Sequence, residues 1–389
     1  MLVFVQPYGL NSPGGGARIF RSLLQDAPVP FLSICTSPQS PPQTTIGKEI
    51  HLPIRPHLGR LESTRLSRYF YPIEAGLAQR FEDRFAQICL EHKATGIHGL
   101  AHSLDFWYAY RVAQKLNLPY YLTVHDELTY NLHKRLELGT AMNRLAKVWA
   151  GATARFVISD VMGQEYCRRY GDRSYAVVTD GLEKVAPAPL VRSPKSLRVY
   201  FMGSVHLSYQ ANFCALVQAL DQFQQTHLDW TVSLSIRGGL SFSLPENAIA
   251  IKLLPWASEA EVAADINHAD VLYLPLPFGK SNESFARYSL STKLVTYLGS
   301  GLPILYHGPK FAAAAQLLRE KDAAILAESL DPEDIQQVLA NAKSRTSEMV
   351  ENALHLGCNQ FSLNNTQNRF WKTLQHNGDL PVSCEIGRC

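Results

Sequence analysis

The chain has 389 residues, too many for one ordinary domain and suited to two domains of roughly 150–200 residues each. Hydrophobic residues make up 46% of the chain and charged residues 18%, so it can build a large core and does not resemble a disordered protein. The net charge of +3, with 21 Lys and Arg against 16 Asp and Glu in residues 1–190, is too small to indicate a nucleic-acid binder.

Short apolar runs alternate with helical patterns along the first half of the chain. The apolar run at residues 2–5 predicts a buried strand. It does not resemble a signal peptide, because the basic lead and the cleavage site are missing. Apolar residues every four positions from Ile73 to Cys89 predict an amphipathic helix. The alternation indicates right-handed βαβ units around a parallel sheet. Further strand-like runs lie at residues 31–35, 97–100, 120–124, 156–158 and 176–178.

Residues 39–70 interrupt this pattern and read as an irregular stretch with four prolines. They also contain the arginines Arg55, Arg60, Arg65 and Arg68. A loop of this length in a compact domain is often functional. Two interpretations remain open: a solvated excursion, or a loop that binds an acceptor or faces a membrane.

The second half repeats the alternation after a break. Residues 184–196 carry three prolines and no periodicity, which is typical of a linker. Strand-like runs follow at 197–202, 230–236, 271–274, 302–306 and 323–326, and only helical patterns follow residue 331. We therefore predict an α/β protein with two doubly wound Rossmann-like domains. The predicted parts are domain 1–183, linker 184–196, domain 197–357, a helical segment 358–378 that crosses back to the first domain, and a frayed tail 379–389.

The cysteines and the lack of a long apolar run indicate the compartment. Seven cysteines are scattered without a CxxC pair, which argues against a disulfide framework or a structural zinc site. No apolar run approaches the ~20 residues that span a bilayer. We expect a cytoplasmic protein, with peripheral contact at the inner membrane face left open.

In open α/β sheets ligands bind beyond the carboxyl ends of the strands, so the loops that leave the strands are candidate sites. The loop after the first strand contains Gly14, Gly15 and Gly16. These glycines allow close backbone approach, and the N–H groups of the following helix favour an anion. Because the loop is neither a Walker A sequence nor GxGxxG, a tight turn and a phosphate-contacting loop are equally compatible with it.

His125 and Asp126 form a second candidate site just past a predicted strand end. An imidazole there can bond a sugar hydroxyl, and a carboxylate can accept a proton or orient the histidine. A structural role for the pair is the alternative. His98 and His102 follow the preceding strand and are weaker candidates for the same crevice.

The third candidate site follows the predicted strand 271–274. A polar loop with Lys280, Glu283 and Arg287 leads to a helix that we expect to begin near Ser291 as its N-cap. Thr292 and Lys293 then lie in the first turn, where free N–H groups favour phosphate. Lys293 adds a point charge that can neutralise a diphosphate leaving group. A surface lysine at a helix start is the alternative.

Taken in order, these motifs resemble a glycosyltransferase of the GT-B type, similar to the retaining family-4 group and its polysaccharide-biosynthesis relatives. The resemblance covers most of the chain, and the 291–303 segment is its most diagnostic part. The matching segments are the glycine loop at 14–16, Val124-His125-Asp126, residues 156–159, residues 177–181 in place of the family's PNG turn, residues 200–203 in place of its fxG strand, residues 269–275, and residues 291–303.

The resemblance implies where substrates bind. The nucleotide-diphosphate sugar donor is expected mainly on the C-terminal domain and a glycan, lipid-linked or small-molecule acceptor on the N-terminal one, with reaction in the cleft between them. It implies a metal-independent enzyme without a cofactor, since basic side chains and helix ends stabilise the diphosphate. His125 and Asp126 are the predicted catalytic pair. The predicted donor-binding residues are Gly15, Gly16, Gly203, Arg237, Glu283, Arg287, Ser291, Thr292 and Lys293.

The chain departs from the family at two glutamate positions, which are Tyr288 and Thr296 here. Glu283 has the wrong spacing to replace either carboxylate in sequence. The family's basic residues after the glycine matched by Gly203 are also absent, and Arg237 is the candidate substitute. Transfer with retention is the leading hypothesis. The alternatives are an inverting transferase with Asp126 as base, a degenerate GT-B protein that binds a glycan or partner without catalysis, and a nucleotide-sugar epimerase.

Overall fold

The computed structural model describes residues 1–131, 138–185, 195–341 and 346–376. The chain divides into two compact units. Unit 1 comprises Met1–Gly181 and Leu363–Cys389, and unit 2 comprises Leu182–Ser362.

Within the described residues, unit 1 contains a seven-stranded parallel sheet in the order β3-β2-β1-β4-β5-β6-β7. Its central strands are almost entirely buried, as expected where helices cover both faces. The strands are β1 (Leu2–Gln6), β2 (Phe31–Cys35), β3 (Lys48–His51), β4 (Gly96–Leu100), β5 (Tyr120–Val124), β6 (Ala154–Val157) and β7 (Ala176–Val177). The helices are α1 (Gly15–Leu24), α2 (Tyr71–Glu91), α3 (Asp105–Lys115), α4 (Leu128–Asn131), α5 (Leu138–Gly151) and α6 (Asp160–Tyr170).

The described part of unit 2 contains a six-stranded parallel sheet in the order β10-β9-β8-β11-β12-β13. Two hydrophobic clusters pack against this sheet. The strands are β8 (Ser196–Met202), β9 (Thr231–Arg237), β10 (Ala250–Leu254), β11 (Val271–Pro275), β12 (Ile304–His307) and β13 (Ile325–Ala327). The helices are α7 (Gln210–Thr226), α8 (Glu259–Asn267), α9 (Glu283–Tyr288), α10 (Thr292–Leu298), α11 (Ala313–Glu320), α12 (Pro332–Asn341) and α13 (Thr346–Gln360).

The last described helix, α14 (Leu363–Gln375), belongs to unit 1 although it follows unit 2 in sequence. Its Trp371 Nε1 donates to the carbonyl of Leu23 at 2.9 Å, and Phe370 and Leu374 are buried with it. The predicted return of the terminal helix is therefore confirmed. The predicted segment began at residue 358, but residues 358–360 belong to α13 and α14 begins at Leu363.

Both sheets confirm the predicted pair of doubly wound Rossmann-like domains, and the differences lie at the sheet edges. The sequence analysis missed β10 and described residues 39–70 as irregular, whereas this stretch contains β3 and two short 3₁₀ turns. Both missed strands are partly exposed edge strands. Most of the predicted linker, at 186–194, and the whole predicted tail lie outside the described residues.

In each sheet, the strands that come first in the chain lie on one side of a single point, and the later strands lie on the other side. In unit 1 this point lies between β1 and β4, and in unit 2 it lies between β8 and β11. Loops leaving the two strands diverge there, which opens a crevice at the carboxyl edge of the sheet. The loops after β1 and β8 contain residues singled out from the sequence.

Candidate functional site

In unit 2, Lys293 lies at the carboxyl end of β8, beside the switch point of the sheet. Ser291 is the N-cap of α10, and its hydroxyl accepts a hydrogen bond from the Lys293 N–H at 3.2 Å, as predicted. The Lys293 side chain reaches back to the strand end. Its Nζ lies 5.4 Å from the ring centroid of Phe201, the penultimate residue of β8.

Gly203 shapes the place that this ammonium occupies. Its φ of +110° is a conformation that residues with a side chain rarely adopt. A Cβ at this position would lie 2.6 Å from Lys293 Cε and 3.2 Å from Nζ. Gly203 is therefore required by backbone conformation and by the space that Lys293 takes up.

The charge of Lys293 has no acidic partner among the described residues. Burial lowers the pKa of its ammonium to about 8, which leaves it mostly protonated at neutral pH. An uncompensated ammonium at the carboxyl edge of a doubly wound sheet is suited to bind an anion. Because α10 has only seven residues, we assign the attraction to this point charge and give the helix end a minor part.

Arg237, at the end of β9, is committed to neighbouring groups within unit 2. Its guanidinium pairs with Asp265 and donates to the carbonyl of Pro255 at 2.9 Å. Tyr200 also donates to Asp265, at 3.0 Å. These contacts raise the pKa of Arg237 and balance its charge within unit 2, so Arg237 has less available positive charge than Lys293.

Glu283 and Arg287 balance each other on α9. Their side chains form an i,i+4 ion pair at 2.6 Å, and the Arg287 guanidinium also lies over the ring of Phe311, 4.4 Å from its centroid. Arg287 therefore carries less available positive charge than Lys293. Thr292 opens α10, and its carbonyl accepts a hydrogen bond from the Thr296 hydroxyl at 3.3 Å.

The two positions where the resembling family carries glutamates hold uncharged groups. Tyr288 is buried at 5% exposure, and Thr296 is bonded within its own helix. Neither residue can accept the bonds of a ribose as a carboxylate does.

In unit 1, His125 follows β5 directly and is buried at 5% exposure. Neither of its ring nitrogens has a hydrogen-bond partner in the described part of the chain. Burial lowers its pKa to about 3, so the imidazole is neutral at physiological pH. Its ring lies 5.3 Å from that of Phe20. A buried neutral imidazole with two unpaired nitrogens can bond a hydroxyl group that enters the crevice.

His98 lies deeper in the same unit and has a packing role. It makes a 2.7 Å hydrogen bond with the Thr123 hydroxyl, and aromatic rings surround it. Burial, with a smaller contribution from His125, lowers its pKa to about 3. The surrounding rings are those of Phe4, Phe20, Phe156 and Phe370.

Asp126 and His102 meet at the carboxyl edge of the unit 1 sheet. Asp126 Oδ2 lies 3.9 Å from His102 Nδ1, and both side chains are partly exposed. The structure thus brings together the residues after β4 and β5 that the sequence placed in one crevice. A partly exposed carboxylate beside an imidazole can orient a hydroxyl or take up its proton.

The glycine loop at the start of α1 contains a residue that the sequence analysis missed. Gly14 is the N-cap with φ +117°, which accounts for this glycine. A Cβ at Gly16 would lie 2.4 Å from the hydroxyl of Tyr8, so Gly16 makes room for that ring. The Tyr8 hydroxyl is buried without a described hydrogen-bond partner, and the ring lies 6.2 Å from that of His102. Gly15, between them, is exposed.

The sequence position of Tyr8 could have indicated a role at the site. It stands two residues past a strand end, as His102 does, but an aromatic residue near a glycine loop was given no role. Asp180, in the turn after β7, was likewise overlooked as an individual residue. It pairs with Arg18 of α1 at 2.8 Å and thereby holds the glycine loop's helix against the sheet.

No group of three or more His, Cys, Asp or Glu suited to a metal ion occurs among the described residues. No helix in the described part of the chain is both long and apolar enough to cross a bilayer.

Comparison with known proteins finds similarity in structure but not in sequence. No protein-family model and no curated protein matches the chain. Among solved structures, trehalose-6-phosphate synthase OtsA matches with a TM-score of 0.66 at 11% identity, over 96% of this chain and 98% of that one.

Two further matches were determined with bound ligands. An E. coli trehalose-6-phosphate structure bound with UDP-2-fluoro glucose matches with a TM-score of 0.63 at 11% identity, over 97% and 99% of the two chains. A UDP-forming trehalose-phosphate synthase from Burkholderia xenovorans in complex with glucose-6-phosphate matches with a TM-score of 0.63 at 12% identity, over 96% and 99%. The GT-B fold predicted from the sequence is therefore confirmed over nearly the whole chain.

Proposed function

We propose that this protein is a glycosyltransferase that moves a sugar from a nucleotide-diphosphate donor to an acceptor hydroxyl. The observation that carries the proposal is the ammonium of Lys293, which lies at the carboxyl edge of the unit 2 sheet and has no acidic partner within the described ranges. The fold shared with trehalose-6-phosphate synthases, one of them bound with a UDP sugar analogue, supports it.

Lys293 supplies the electrostatic part of the reaction. When the bond between the anomeric carbon and the phosphate oxygen breaks, negative charge grows on the diphosphate. A fixed ammonium stabilises that charge more strongly in the transition state than in the bound donor, and this difference is what accelerates transfer. Because the side chain is already held over Phe201 and against Gly203, little reorganisation is needed when the donor binds.

Unit 1 supplies uncharged and acidic hydrogen-bonding groups. We assign His125 to a hydroxyl of the transferred sugar, since its ring is neutral and its nitrogens have no hydrogen-bond partner in the described part of the chain. Asp126, oriented by His102, is assigned to a sugar or acceptor hydroxyl. Gly15 and Gly16 remain proposed neighbours of the donor phosphate. The acceptor class is a glycan, a lipid-linked sugar or a small molecule.

Transfer with retention and without a metal is part of the proposal. Retention is supported by the shared fold with trehalose-6-phosphate synthase, for which glycosyltransfer with retention has been described. An ammonium that neutralises the diphosphate performs the role that a metal ion plays in other transferases. We place the enzyme in the cytoplasm.

The deciding experiment is a thermal-shift panel of UDP, GDP and ADP sugars with the full chain. We expect at least one nucleotide sugar to raise the melting temperature, because a ligand that binds only the folded state stabilises it. Mass spectrometry of reactions with that donor and candidate acceptors then detects the transfer product and its anomeric configuration.

Two results would replace the proposal. If no nucleotide sugar stabilises the protein, a binding protein without catalysis is the better description, as the loss of both family glutamates at Tyr288 and Thr296 would then suggest. If the donor sugar is interconverted in reactions that contain no acceptor, the protein is an epimerase.

A further inference from the structure

A cluster of exposed apolar side chains lies in the segment between β3 and the first turns of α2. Leu61 and Leu66 are 44% and 52% exposed, and Tyr69 and Ile73 are 45% and 41% exposed. The regular spacing from Ile73 to Cys89 predicts a core position for Ile73, but this end of the stripe faces solvent. A concentration of large exposed apolar residues within 13 positions is unusual for a surface that only contacts water.

Contacts of the buried Arg55 order the segment that carries these exposed side chains. Arg55 is 4% exposed and binds both oxygens of Glu62, at 2.5 and 2.9 Å, as well as Glu74 at 3.1 Å. Its guanidinium also lies 4.7 Å from the ring centroid of the buried Phe70. Arg55 thus fastens the two 3₁₀ turns to the start of α2, and the exposed residues are presented on an ordered support.

Two short turns repeat the same arrangement. Gly59–Ser63 and Arg65–Tyr69 are consecutive 3₁₀ turns, and each contains an arginine followed by a leucine: Arg60-Leu61 and Arg65-Leu66. All four side chains are exposed. Exposed basic and apolar residues therefore alternate along this segment. We call its exposed side chains the Arg-Leu surface; they are Arg60, Leu61, Arg65, Leu66, Tyr69 and Ile73.

The charge of this surface is positive. Glu62 is the one acidic residue between positions 55 and 73, and it is bound by the buried Arg55. That ion pair lowers the pKa of Glu62, and the charge of its carboxylate is balanced by Arg55. Arg65 has no acidic partner among the described residues.

We propose that the Arg-Leu surface docks unit 1 onto an anionic lipid bilayer. The leucines and Ile73 enter the boundary between head groups and acyl chains, and the arginines remain at the level of the lipid phosphates. Tyr69 suits the same interface, with an apolar ring and a polar hydroxyl. This surface goes beyond sugar transfer and does not depend on it.

A bilayer fits this surface better than a protein partner for a physical reason. A protein interface concentrates its apolar residues in a centre that excludes charge and surrounds them with a polar rim. Here an arginine directly precedes each leucine, and a bilayer interface accommodates that pattern because long basic side chains reach the head groups while their neighbours are buried.

The test is sedimentation of the full chain with vesicles, without donor or acceptor. One set of vesicles is phosphatidylcholine, and the other contains an equal amount of phosphatidylglycerol. We compare the wild type with Arg65→Ser/Leu66→Ser and with the matched control Lys252→Ser/Leu253→Ser. The control removes an exposed basic residue and a 60% exposed leucine from edge strand β10 of unit 2.

We expect the wild type and the control to bind the anionic vesicles, less strongly as salt is raised. The Arg65→Ser/Leu66→Ser variant is expected to bind at least about tenfold more weakly, about fivefold from the lost charge and the rest from the lost leucine. Circular dichroism of both variants shows whether folding is retained, and Leu66→Ser alone replaces the double variant if it is not.

Three results would overturn the proposal. One is absence of wild-type binding to anionic vesicles, and another is an equal loss in the variant and its control. The third is lipid-independent dimerisation that Arg65→Ser/Leu66→Ser abolishes, because the surface would then contact a second copy of the chain. A donor that stabilises a protein unable to bind vesicles would refute the surface while supporting the transferase, so the two proposals fail separately.

Discussion

The crevices of the two sheets differ in the charge that they present. At the end of β8, unit 2 places an ammonium that has no acidic partner in the part of the chain that the structure describes. At the end of β5, unit 1 places a neutral buried histidine and a partly exposed carboxylate. The first arrangement suits phosphate and the second suits hydroxyl groups. The carboxyl edges of two similar sheets thus carry different chemistry, and the proposed function uses the first for the diphosphate and the second for hydroxyl groups.

Histidines sharpen the contrast further. In unit 2, His307 is fully buried, and its two nitrogens bond the Tyr273 hydroxyl at 2.7 Å and the Ser329 carbonyl at 2.8 Å. His125 in unit 1 is almost as buried, but neither of its nitrogens has a hydrogen-bond partner among the described residues. The hydrogen bonds of His307 are made within unit 2, whereas His125 keeps both nitrogens available to bond a ligand.

The largest effect is expected from Lys293→Ala. Removing the ammonium should lower the rate of sugar transfer by about 10²–10³-fold, as loss of a group that stabilises transition-state charge does in other enzymes. Turnover with the donor found by thermal shift measures the effect. Lys252→Ala, an exposed lysine of the same unit, is the matched control and should keep wild-type turnover. Wild-type turnover by a folded Lys293→Ala variant would show that the charge of Lys293 is not needed for transfer, and the contrast between the units would then have no catalytic meaning.

The paired substitutions His125→Phe and His307→Phe separate a ligand-binding histidine from a structural one. A ring without nitrogens costs the fold little at position 125, beside Phe20, but should lower transfer by about 10- to 100-fold, as loss of a hydrogen bond worth about 1–3 kcal/mol does. At position 307 it leaves the buried Tyr273 hydroxyl and the Ser329 carbonyl unpaired, and should lower the free energy of unfolding by about 1–3 kcal/mol. Denaturation and turnover measured on both variants provide the comparison. Equal losses of stability would show that His125 is also structural.

Acid should destabilise the fold through the buried histidines. His98 and His125 have pKa values of about 3 when folded, against about 6.5 for an unfolded histidine. Between these values the unfolded chain binds more protons, so the free energy of unfolding falls as pH decreases from about 6.5. The slope contributed by each histidine is at most about 1.4 kcal/mol per pH unit. Chemical denaturation across this range should give a shallower slope for His125→Phe, and an unchanged slope would contradict the burial argument.

Alkaline pH should weaken donor binding through unit 2. The Lys293 ammonium has a pKa of about 8 and loses its charge as pH rises through that value. Affinity for the nucleotide sugar should therefore fall, approaching tenfold for each pH unit above 8, while affinity for the matching nucleoside without phosphates stays constant. Calorimetric titrations at several pH values measure both. A parallel decline for the nucleoside would assign the effect to another group.

The fold could be predicted from the sequence wherever a strand is buried on both faces. Continuous apolar runs identified β1, β4, β5, β8 and β11, because in the interior of a parallel sheet both alternating faces meet helices. Edge strands β3 and β10 escaped, since part of each strand is exposed and its residues do not form a continuous apolar run.

The sequence allowed us to predict where site residues lie along the helices and strands, but not which residues they contact. The placement of Lys293 and Ser291 at the start of α10 follows from local capping chemistry, which a sequence carries. The pairing of Arg237 with Asp265 joins residues 28 positions apart, and the burial of the Tyr8 hydroxyl over Gly16 depends on how a loop packs on a helix. Such contacts are decided by tertiary packing, so they became visible only in the structure.

The placement of α14 in unit 1 has a consequence for synthesis on the ribosome. Unit 2 is translated in full before α14 emerges, and until then Leu23 lacks its bond from Trp371 and the rings around Phe4 lack Phe370. The domain begun first is thus completed last. A nascent chain that stalls before residue 363 would expose an unfinished apolar groove to chaperones, even though most of its first domain had been made long before.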